Sequence, residues 1–317
     1  MNTDSQMYQS LQAPLEAFLR QKSLEVTSPA TVKDIAYFTQ LLTQGLTTLF
    51  PDQTLAQIGL SQLLSYVEWL EKGANGRKLS KATIKHKAVM YLRHTFARLH
   101  EAGMIANNPA LQLRYRKRVR YQPTPRITRH QLALLETALE GGDYLQRLMR
   151  AVIHLLLDTG MRNEELCNLN DADLAIEVKQ INIVYGKGGS SGKLGFGSKT
   201  QAAIQDYLAA RANLTRRDPD RLFVNSQGHV LTNTYLAHLF QDYAQKAGIP
   251  KLSPHRFRVT FAVELFLKGE SPFTVQAALR HTTLDMTYRY MRLADEERTA
   301  LRCSIASVSD DLLGSKQ

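Results

Sequence analysis

Apolar residues recur at helical spacing through the first hundred residues of the chain. After Ser28 and Pro29, which suit a helix cap and a first helical turn, one apolar stripe consists of Val32, Ile35, Phe38, Leu41 and Leu42. A second stripe covers 60–72. A third helix is predicted to begin at Ser80, with one face made of Ile84, Ala88, Leu92 and Phe96. These stripes predict the packed core of a small helical bundle, which ends at 106–109.

The pattern changes after Thr128, a predicted helix cap. Helices are predicted at 129–140 and 143–158, and alternating apolar residues at 176–185 predict strands. A turn rich in Gly and Ser at 186–192 leads to a further short strand, and another small strand is predicted near 222–224. Helices return from about 199 and dominate after Thr232. The whole pattern predicts a mainly α-helical protein with a small antiparallel sheet.

Composition places the chain among globular proteins. It has 317 residues, 44% hydrophobic and 22% charged, which fits two domains of ordinary size. No stretch reaches the roughly 18 to 20 apolar residues that a membrane span needs, and the polar N-terminus lacks a signal core. Cys167 and Cys303 are too few for a disulfide framework or a zinc site, so we expect a reducing cytoplasm.

The charge of the chain is strongly basic and unevenly distributed. Its 40 Lys and Arg residues exceed its 29 acids, and a formal net charge of +11 favours polyanionic partners. The segment from 114 to 129 contains no acid, and its basic residues are Arg114, Arg116, Lys117, Arg118, Arg120, Arg126 and Arg129. This segment is either a solvated linker or, as we favour, a linker that lies on DNA and contacts phosphates.

Four short segments of the second half carry candidate chemistry. In the first, Asp158–Leu166, Arg162 opens a helix, where backbone N–H groups and a guanidinium together suit a phosphate. In the second, Lys187 lies in a glycine-rich turn after a strand and is able to reach into a groove. Each segment also has a structural interpretation, a surface arginine and a flexible hairpin tip respectively.

The third and fourth segments add a His-Arg pair and a His-Tyr pair. His255 and Arg258 are three residues apart and share one helix face, although such a pair is usually a surface pair. His281 and Tyr290 are nine residues apart and face opposite sides of a continuous helix at about 100° per residue. If both serve one site, the helix must break between them, and the threonines at 282 and 283 are able to cap a new helix.

The order and spacing of these segments resemble those of the tyrosine recombinases, the class of the phage integrases, the Xer recombinases and Cre. That class carries an arginine with an acid three residues later, a β-hairpin lysine, His-x-x-Arg, and a His or Trp nine residues before a tyrosine. The matching residues here are Arg162 with Glu165, Lys187, His255, Arg258, His281 and Tyr290. The resemblance covers about residues 128 to 300, and only helix pattern and position extend it towards the N-terminus.

The resemblance implies a two-domain DNA clamp. A helical core-binding domain would occupy 1–112, a basic linker 113–127, and a mixed α/β catalytic domain 128–317, with no room for an arm-binding domain. Four protomers would act in pairs on double-stranded DNA, without a metal or a cofactor. An amphipathic stretch at 294–313 would pack either on its own domain or, as we favour, on the neighbouring protomer.

The resemblance also implies roles in DNA cleavage. Arg162 and Arg258 would bind the non-bridging phosphate oxygens, Tyr290 would attack phosphorus to form a 3′-phosphotyrosyl link, and Lys187 would protonate the leaving 5′-oxygen. Tyr288 is a rival nucleophile, but it lies about 200° from Tyr290 on a helix, so only one of them faces the phosphate. The nine-residue spacing favours Tyr290.

The remaining matched residues have supporting roles. His255 would assist proton transfer or bind phosphate, His281 would hydrogen-bond the scissile phosphate, and Glu165 would orient a neighbouring Arg or His. The chain departs from the family pattern at Arg280 and Arg292, where a glycine and a histidine are common, and at residue 259, which is a valine where a histidine is frequent. The two arginines are either additional phosphate contacts or surface charges.

The function that follows is site-specific recombination, in which a mobile element is integrated, excised or resolved. Two alternatives remain open. One is an enzyme that nicks and reseals DNA without exchange, as type IB topoisomerases do. The other is an architectural DNA-binding protein whose site is intact but idle.

Overall fold

A computed structural model describes residues 12–25, 29–73, 79–80, 83–113, 124–183 and 191–302. The chain divides into two compact units, Met1–Tyr121 and Gln122–Gln317. The division falls within the predicted linker, while the roles of the two domains stay predictions. The predicted cap Ser28, the second cysteine, Cys303, and the end of the predicted amphipathic stretch lie outside the described residues.

The described part of the first unit is helical. Its helices are α1 (Gln12–Glu25), α2 (Pro29–Leu49), α3 (Leu60–Gly73) and α4 (Val89–Glu101), with a π-helical turn at Ile84–Ala88 and 3-10 turns at Leu55–Gln57 and Pro109–Gln112. The predicted stripes form its core, since Ile35, Phe38, Leu41, Leu42, Ile84, Ala88, Leu92 and Phe96 are all buried. Helix α4 ends at Glu101, before the predicted stop at 106–109, and Gly103 follows with a φ of 70°.

The second unit is a helical domain with one small sheet. Its helices are α5 (Arg129–Ala138), α6 (Tyr144–Thr159), α7 (Asn163–Cys167), α8 (Ser198–Arg211), α9 (Asn233–Lys246), α10 (Pro254–Leu267), α11 (Pro272–Leu279) and α12 (Leu284–Arg302). Thr128 caps α5 as predicted: its hydroxyl accepts from the N–H of Gln131, whose side chain accepts from the N–H of Thr128.

The sheet is antiparallel, as predicted. Its strands are β1 (Leu174–Ala175), β2 (Gln180–Ile183) and β3 (Gly192–Gly195), in the order β1-β2-β3, and Ile181 pairs with Leu194. The strand predicted near 222–224 is wrong. The N–H of Leu222 donates to the Leu169 carbonyl and that of Val224 to the Tyr207 hydroxyl, so this buried segment has dispersed partners and forms only isolated bridges.

Two apolar clusters position the functional residues. The larger is centred on α6, whose Leu148, Val152 and Leu156 are buried against neighbouring helices. The smaller packs α10 against α11 and α12, and its buried members are Val259, Ala262, Val263, Phe266, Val275, Leu279, Tyr290 and Ala294. Burial of each large apolar side chain contributes roughly 1.5–3 kcal/mol, so the α10–α12 junction is firmly packed. Among the described residues, no helix is both long and apolar enough to cross a membrane.

Candidate active site

The connection between α6 and α7 positions Arg162. Gly160 ends α6 with a φ of 56°, and a Cβ added there would lie 2.3 Å from Cδ1 of Phe261. Glycine is therefore required, because any other side chain would be strained and would clash. Arg162 follows two residues later at the start of α7, and its extended backbone (φ −74°, ψ 151°) turns the chain into that helix.

Glu165 holds Arg162 at two points. Its carboxylate accepts from the Arg162 backbone N–H and from Nη1 of the Arg162 guanidinium, each at 2.8 Å. The Glu165 side chain is only 2% exposed. Burial alone would raise the pKa of Glu165, but the hydrogen bond from Arg162 and the charges of Arg280 and Arg162 lower it below its ordinary value. Glu165 is therefore ionised and fixes the guanidinium of Arg162.

A single turn at the end of α11 binds both candidate phosphate-binding arginines. Arg280 has a left-handed backbone (φ 54°); its N–H donates to Ala277, and the N–H of His281 donates to Gln276, a Schellman motif. The carbonyl of Leu279 accepts from Arg258 Nη2 at 2.6 Å. The carbonyl of Arg280 accepts from Arg162 Nη2 at 3.1 Å. The turn thereby brings together two guanidinium groups from distant parts of the chain.

Arg258 is buried within α10 and is held by main-chain groups alone among the hydrogen bonds of the described residues. Besides Leu279, it donates from Nη1 to the Gly160 carbonyl. Burial, and then the charge of Arg162, lowers the pKa of Arg258 to about 10. The guanidinium therefore keeps its positive charge at neutral pH, although it lies beside another cation.

His281 is buried next to the two arginines. Its Nδ1 lies 2.9 Å from the Thr287 hydroxyl, whereas its buried Nε2 has no hydrogen-bond partner among the described residues. Burial, and then the charges of Arg258 and Arg162, lowers the pKa of His281 to about 4. The ring is therefore neutral at pH 7, and its Nε2 is able to bind an incoming group.

The predicted helix break lies between His281 and Tyr290. Helix α11 ends at Leu279, and α12 begins at Leu284. The ring of Tyr290 stacks on that of His281 with centroids 5.8 Å apart and planes at 29°. Tyr290 is 8% exposed and Tyr288 is 38% exposed. Tyr290 also raises the pKa of Arg258, so its hydroxyl lies within electrostatic reach of that arginine.

The remaining predicted residues are His255, Lys187 and the basic residues of the linker. His255 lies on α10 one turn before Arg258 with its side chain exposed at the surface. Loss of part of its hydration, together with the charge of Arg258, lowers the pKa of His255. The predicted general acid, Lys187, lies outside the described residues, as do the predicted DNA-binding residues Arg114, Arg116, Lys117, Arg118 and Arg120. Arg126, in the same basic segment, is paired with Glu264 and Glu297.

Burial contradicts one of the two interpretations of Arg280. It is not a surface charge, because its side chain is 6% exposed, and its Nη2 lies 2.5 Å from Oε2 of Glu165. Arg292 is exposed. The sequence also gave no sign of Thr287, because a threonine six residues after His281 belongs to no motif, and only the turn before α12 brings the two together.

Lowering the pH from 7 to 5 is expected to destabilise the protein partly through His281. Its pKa is about 4 in the folded protein against 6.5 ordinarily, so the stability it contributes is complete above pH 6.5 and declines as the pH falls towards 4. Asparagine cannot titrate, so the free energy of unfolding of His281→Asn should fall by about 1–2 kcal/mol less than that of the wild type between these pH values. Urea unfolding at both pH values measures the difference. His130→Asn, at an exposed site on α5, is the control, and equal losses in His281→Asn and the wild type would contradict the assignment.

The comparisons with known sequences agree with one another. A sequence model of the phage integrase family matches residues 125–297. Tyrosine recombinase XerC of Listeria monocytogenes is 28% identical over 274 residues, 85% of this chain and 88% of that relative. XerC of Thermodesulfovibrio yellowstonii is 31% identical over 67% of this chain and 71% of its own. With XerC of Staphylococcus aureus, 29% identical, the match covers 60% of this chain and 63% of the relative.

The comparisons with solved structures show the same two-domain fold. The Tn1549 transposon integrase in complex with circular intermediate DNA matches with a TM-score of 0.71 and 20% identity, over 92% of this chain and 99% of that one. A lambda integrase dimer bound to a COC' core site matches with a TM-score of 0.68 and 16% identity, over 89% and 77% of the two chains. The XerH recombinase bound to a palindromic difH substrate gives 0.66 and 20%, over 94% and 90%.

Proposed function

Because the chain belongs to the phage integrase family and is a site-specific tyrosine recombinase, we propose that Tyr290 cleaves DNA by forming a covalent bond to a 3′-phosphate. One observation carries this assignment. The turn at Leu279–Arg280 binds both Arg162 and Arg258 through its carbonyls. The next residue is His281, and the ring of Tyr290 stacks on its ring. A phosphate that reaches the two guanidinium groups would therefore lie close to the Tyr290 hydroxyl.

Arg162 and Arg258 offset the negative charge that develops on the phosphate in the transition state. Each guanidinium has five N–H donors, and the hydrogen bonds described above use two on each arginine, so donors remain for the non-bridging oxygens. Because both groups are already fixed by the turn and by Glu165, little reorganisation is needed when the phosphate binds. Neutral His281 donates or accepts a further hydrogen bond through Nε2.

The reaction is a transesterification and balances with DNA alone. The phenolic oxygen of Tyr290 forms a bond to phosphorus and passes its proton to neutral His255 or to water, and the bond from phosphorus to the 5′-oxygen breaks. The departing 5′-oxygen takes a proton, which we assign to Lys187, and His255 assists proton transfer or binds the phosphate. A 5′-hydroxyl from another strand then reverses the steps and releases Tyr290.

Assembly and biological role follow from the same proposal. Four protomers would act in pairs on two double-stranded DNA sites, with the basic residues Arg114, Arg116, Lys117, Arg118 and Arg120 against phosphates. Because the substrate is DNA, the protein would act in the cytoplasm, associated with the nucleoid. We favour integration, excision or resolution of a mobile element as its role.

A covalent capture assay tests this function. Purified full-length protein is incubated with short duplexes of random sequence, each nicked near its centre so that the cleaved end diffuses away. After denaturation, DNA that remains linked to protein is isolated and sequenced. We expect the linked DNA to converge on an inverted repeat and to be attached through its 3′-phosphate.

The other outcomes separate the alternatives, which the comparisons do not favour. Covalent complexes without convergence on a sequence, together with relaxation of any supercoiled plasmid, would indicate an enzyme that nicks and reseals DNA without exchange. Retention of DNA with no covalent complex would indicate an idle binding protein. Either result would overturn the proposed function.

A further inference from the structure

Arg280 occupies a backbone conformation that suits glycine. Its φ of 54° places it at the C′ position of the Schellman motif that ends α11. Among the described residues other than glycine, only Lys179 shares a positive φ. An arginine is strained there, since the left-handed region crowds its Cβ. A side chain at such a strained position points to a contact that it makes.

The Arg280 side chain lies inside the domain instead of in solvent. It is 6% exposed, and its buried Nε has no hydrogen-bond partner among the described residues. A Cβ added to Gly192 would lie 3.5 Å from Cδ of Arg280, so the side chain runs beside β3. Burial of a charged group is unfavourable unless an opposite charge compensates it, and Glu165 supplies that charge.

On the basis of the proposed function, we propose that Arg280 is a positioning residue that holds Glu165, and through it Arg162, in the geometry that binds the scissile phosphate. The two carboxylate oxygens of Glu165 accept from different donors. Oε1 accepts from Arg162 Nη1, and Oε2 accepts from the Arg162 backbone and from Arg280 Nη2. Without Arg280, Oε2 would keep only the backbone donor, and Arg162 alone would hold the carboxylate.

Arg280 also affects the charge state of the pair. Within the described part of the chain, the charged groups that face Glu165 are Arg162 at the start of α7, Arg280 from the turn after α11, and Arg258 from α10. Loss of one of these cations leaves a buried carboxylate with less compensation, so its pKa rises. A protonated Glu165 binds Arg162 weakly. As the pH is lowered, a variant without Arg280 should therefore lose cleavage at a higher pH than the wild type does.

The inference is tested by single-turnover cleavage. The substrate is a nicked duplex whose sequence was isolated with the wild-type protein in the capture assay. Arg280→Gly removes the guanidinium and suits the backbone. We expect DNA affinity to be unchanged, the cleavage rate at saturating DNA to fall about 10- to 100-fold, and the acidic limb of the pH–rate profile to move to higher pH. Arg280→Lys keeps the positive charge and should restore most of the rate and the wild-type profile.

Two results would overturn the inference. One is an Arg280→Gly protein that cleaves at the wild-type rate with an unshifted profile, and the other is an Arg280→Lys protein as slow as Arg280→Gly. If circular dichroism shows that Arg280→Gly is unfolded, Arg280→Gln replaces it, and equal rates for Gln and Lys would exclude the role of charge. A wild-type protein that forms no covalent complex would instead refute the proposed function itself.

Discussion

Tyr290→Phe is expected to abolish covalent protein–DNA complexes completely, and Tyr288→Phe is expected to leave them at the wild-type level. Phenylalanine lacks the oxygen that must bond to phosphorus, yet it keeps the ring that stacks on His281 within the α10–α12 cluster. The variant should therefore fold and bind DNA. Tyr288 is the matched control because it lies on the same helix but is 38% exposed, against 8% for Tyr290.

The measurement is a denaturing gel of each variant after incubation with the nicked duplex. Electrophoretic mobility under native conditions shows separately that DNA is still bound. Adducts that persist in Tyr290→Phe and vanish in Tyr288→Phe would assign the nucleophile to Tyr288. That result would require α12 to rotate so that its exposed face meets the arginines.

Arg258→Lys is expected to slow single-turnover cleavage by about 100-fold or more, the usual effect of removing one donor that stabilises the transition state. The planar guanidinium of Arg258 bridges the carbonyls of Gly160 and Leu279 and has further N–H donors for a phosphate. Lysine retains the charge but lacks this fork of donors. DNA affinity should change little, because the charge remains. Quench-flow measurement of adduct formation at saturating DNA gives the rate.

Arg256→Lys is a matched control on the same helix. Arg256 is also a buried arginine, but its guanidinium donates to the carbonyls of Pro125 and Arg126 and to the Gln131 side chain, away from the turn after α11. Its replacement should lower the free energy of unfolding while cleavage by the folded protein persists. Equal losses of cleavage in the two variants would show that Arg258 acts through folding alone.

Local spacing predicts much of this architecture. The stripe containing Ile84 and Phe96 is set by the helical period, and it is buried as predicted. The spacing of His281 and Tyr290 required a helix break, because one continuous helix places them on opposite faces, and the chain does turn between Leu279 and Leu284. Such features depend on residues close in sequence, so the sequence alone specifies them.

Contacts between distant residues explain what the sequence did not predict. Arg280 pairs with Glu165 across 115 positions, and no local pattern indicates that an arginine will enter the interior in place of glycine. The segment at 222–224 has the composition of a strand, yet two of its N–H groups donate to Leu169 and to the Tyr207 hydroxyl, which belong to other elements of the domain. Tertiary contacts determine both outcomes.

The anchors of the two guanidinium groups have a consequence for how this chain is able to diverge. Arg258 is held by the main-chain carbonyls of Gly160 and Leu279, and Arg162 by that of Arg280. A carbonyl is present whatever side chain its residue carries. Substitution of Leu279 therefore leaves the carbonyl that binds Arg258 in place as long as the turn persists. A site built on backbone shape is compatible with a fold that is shared at only 20% identity.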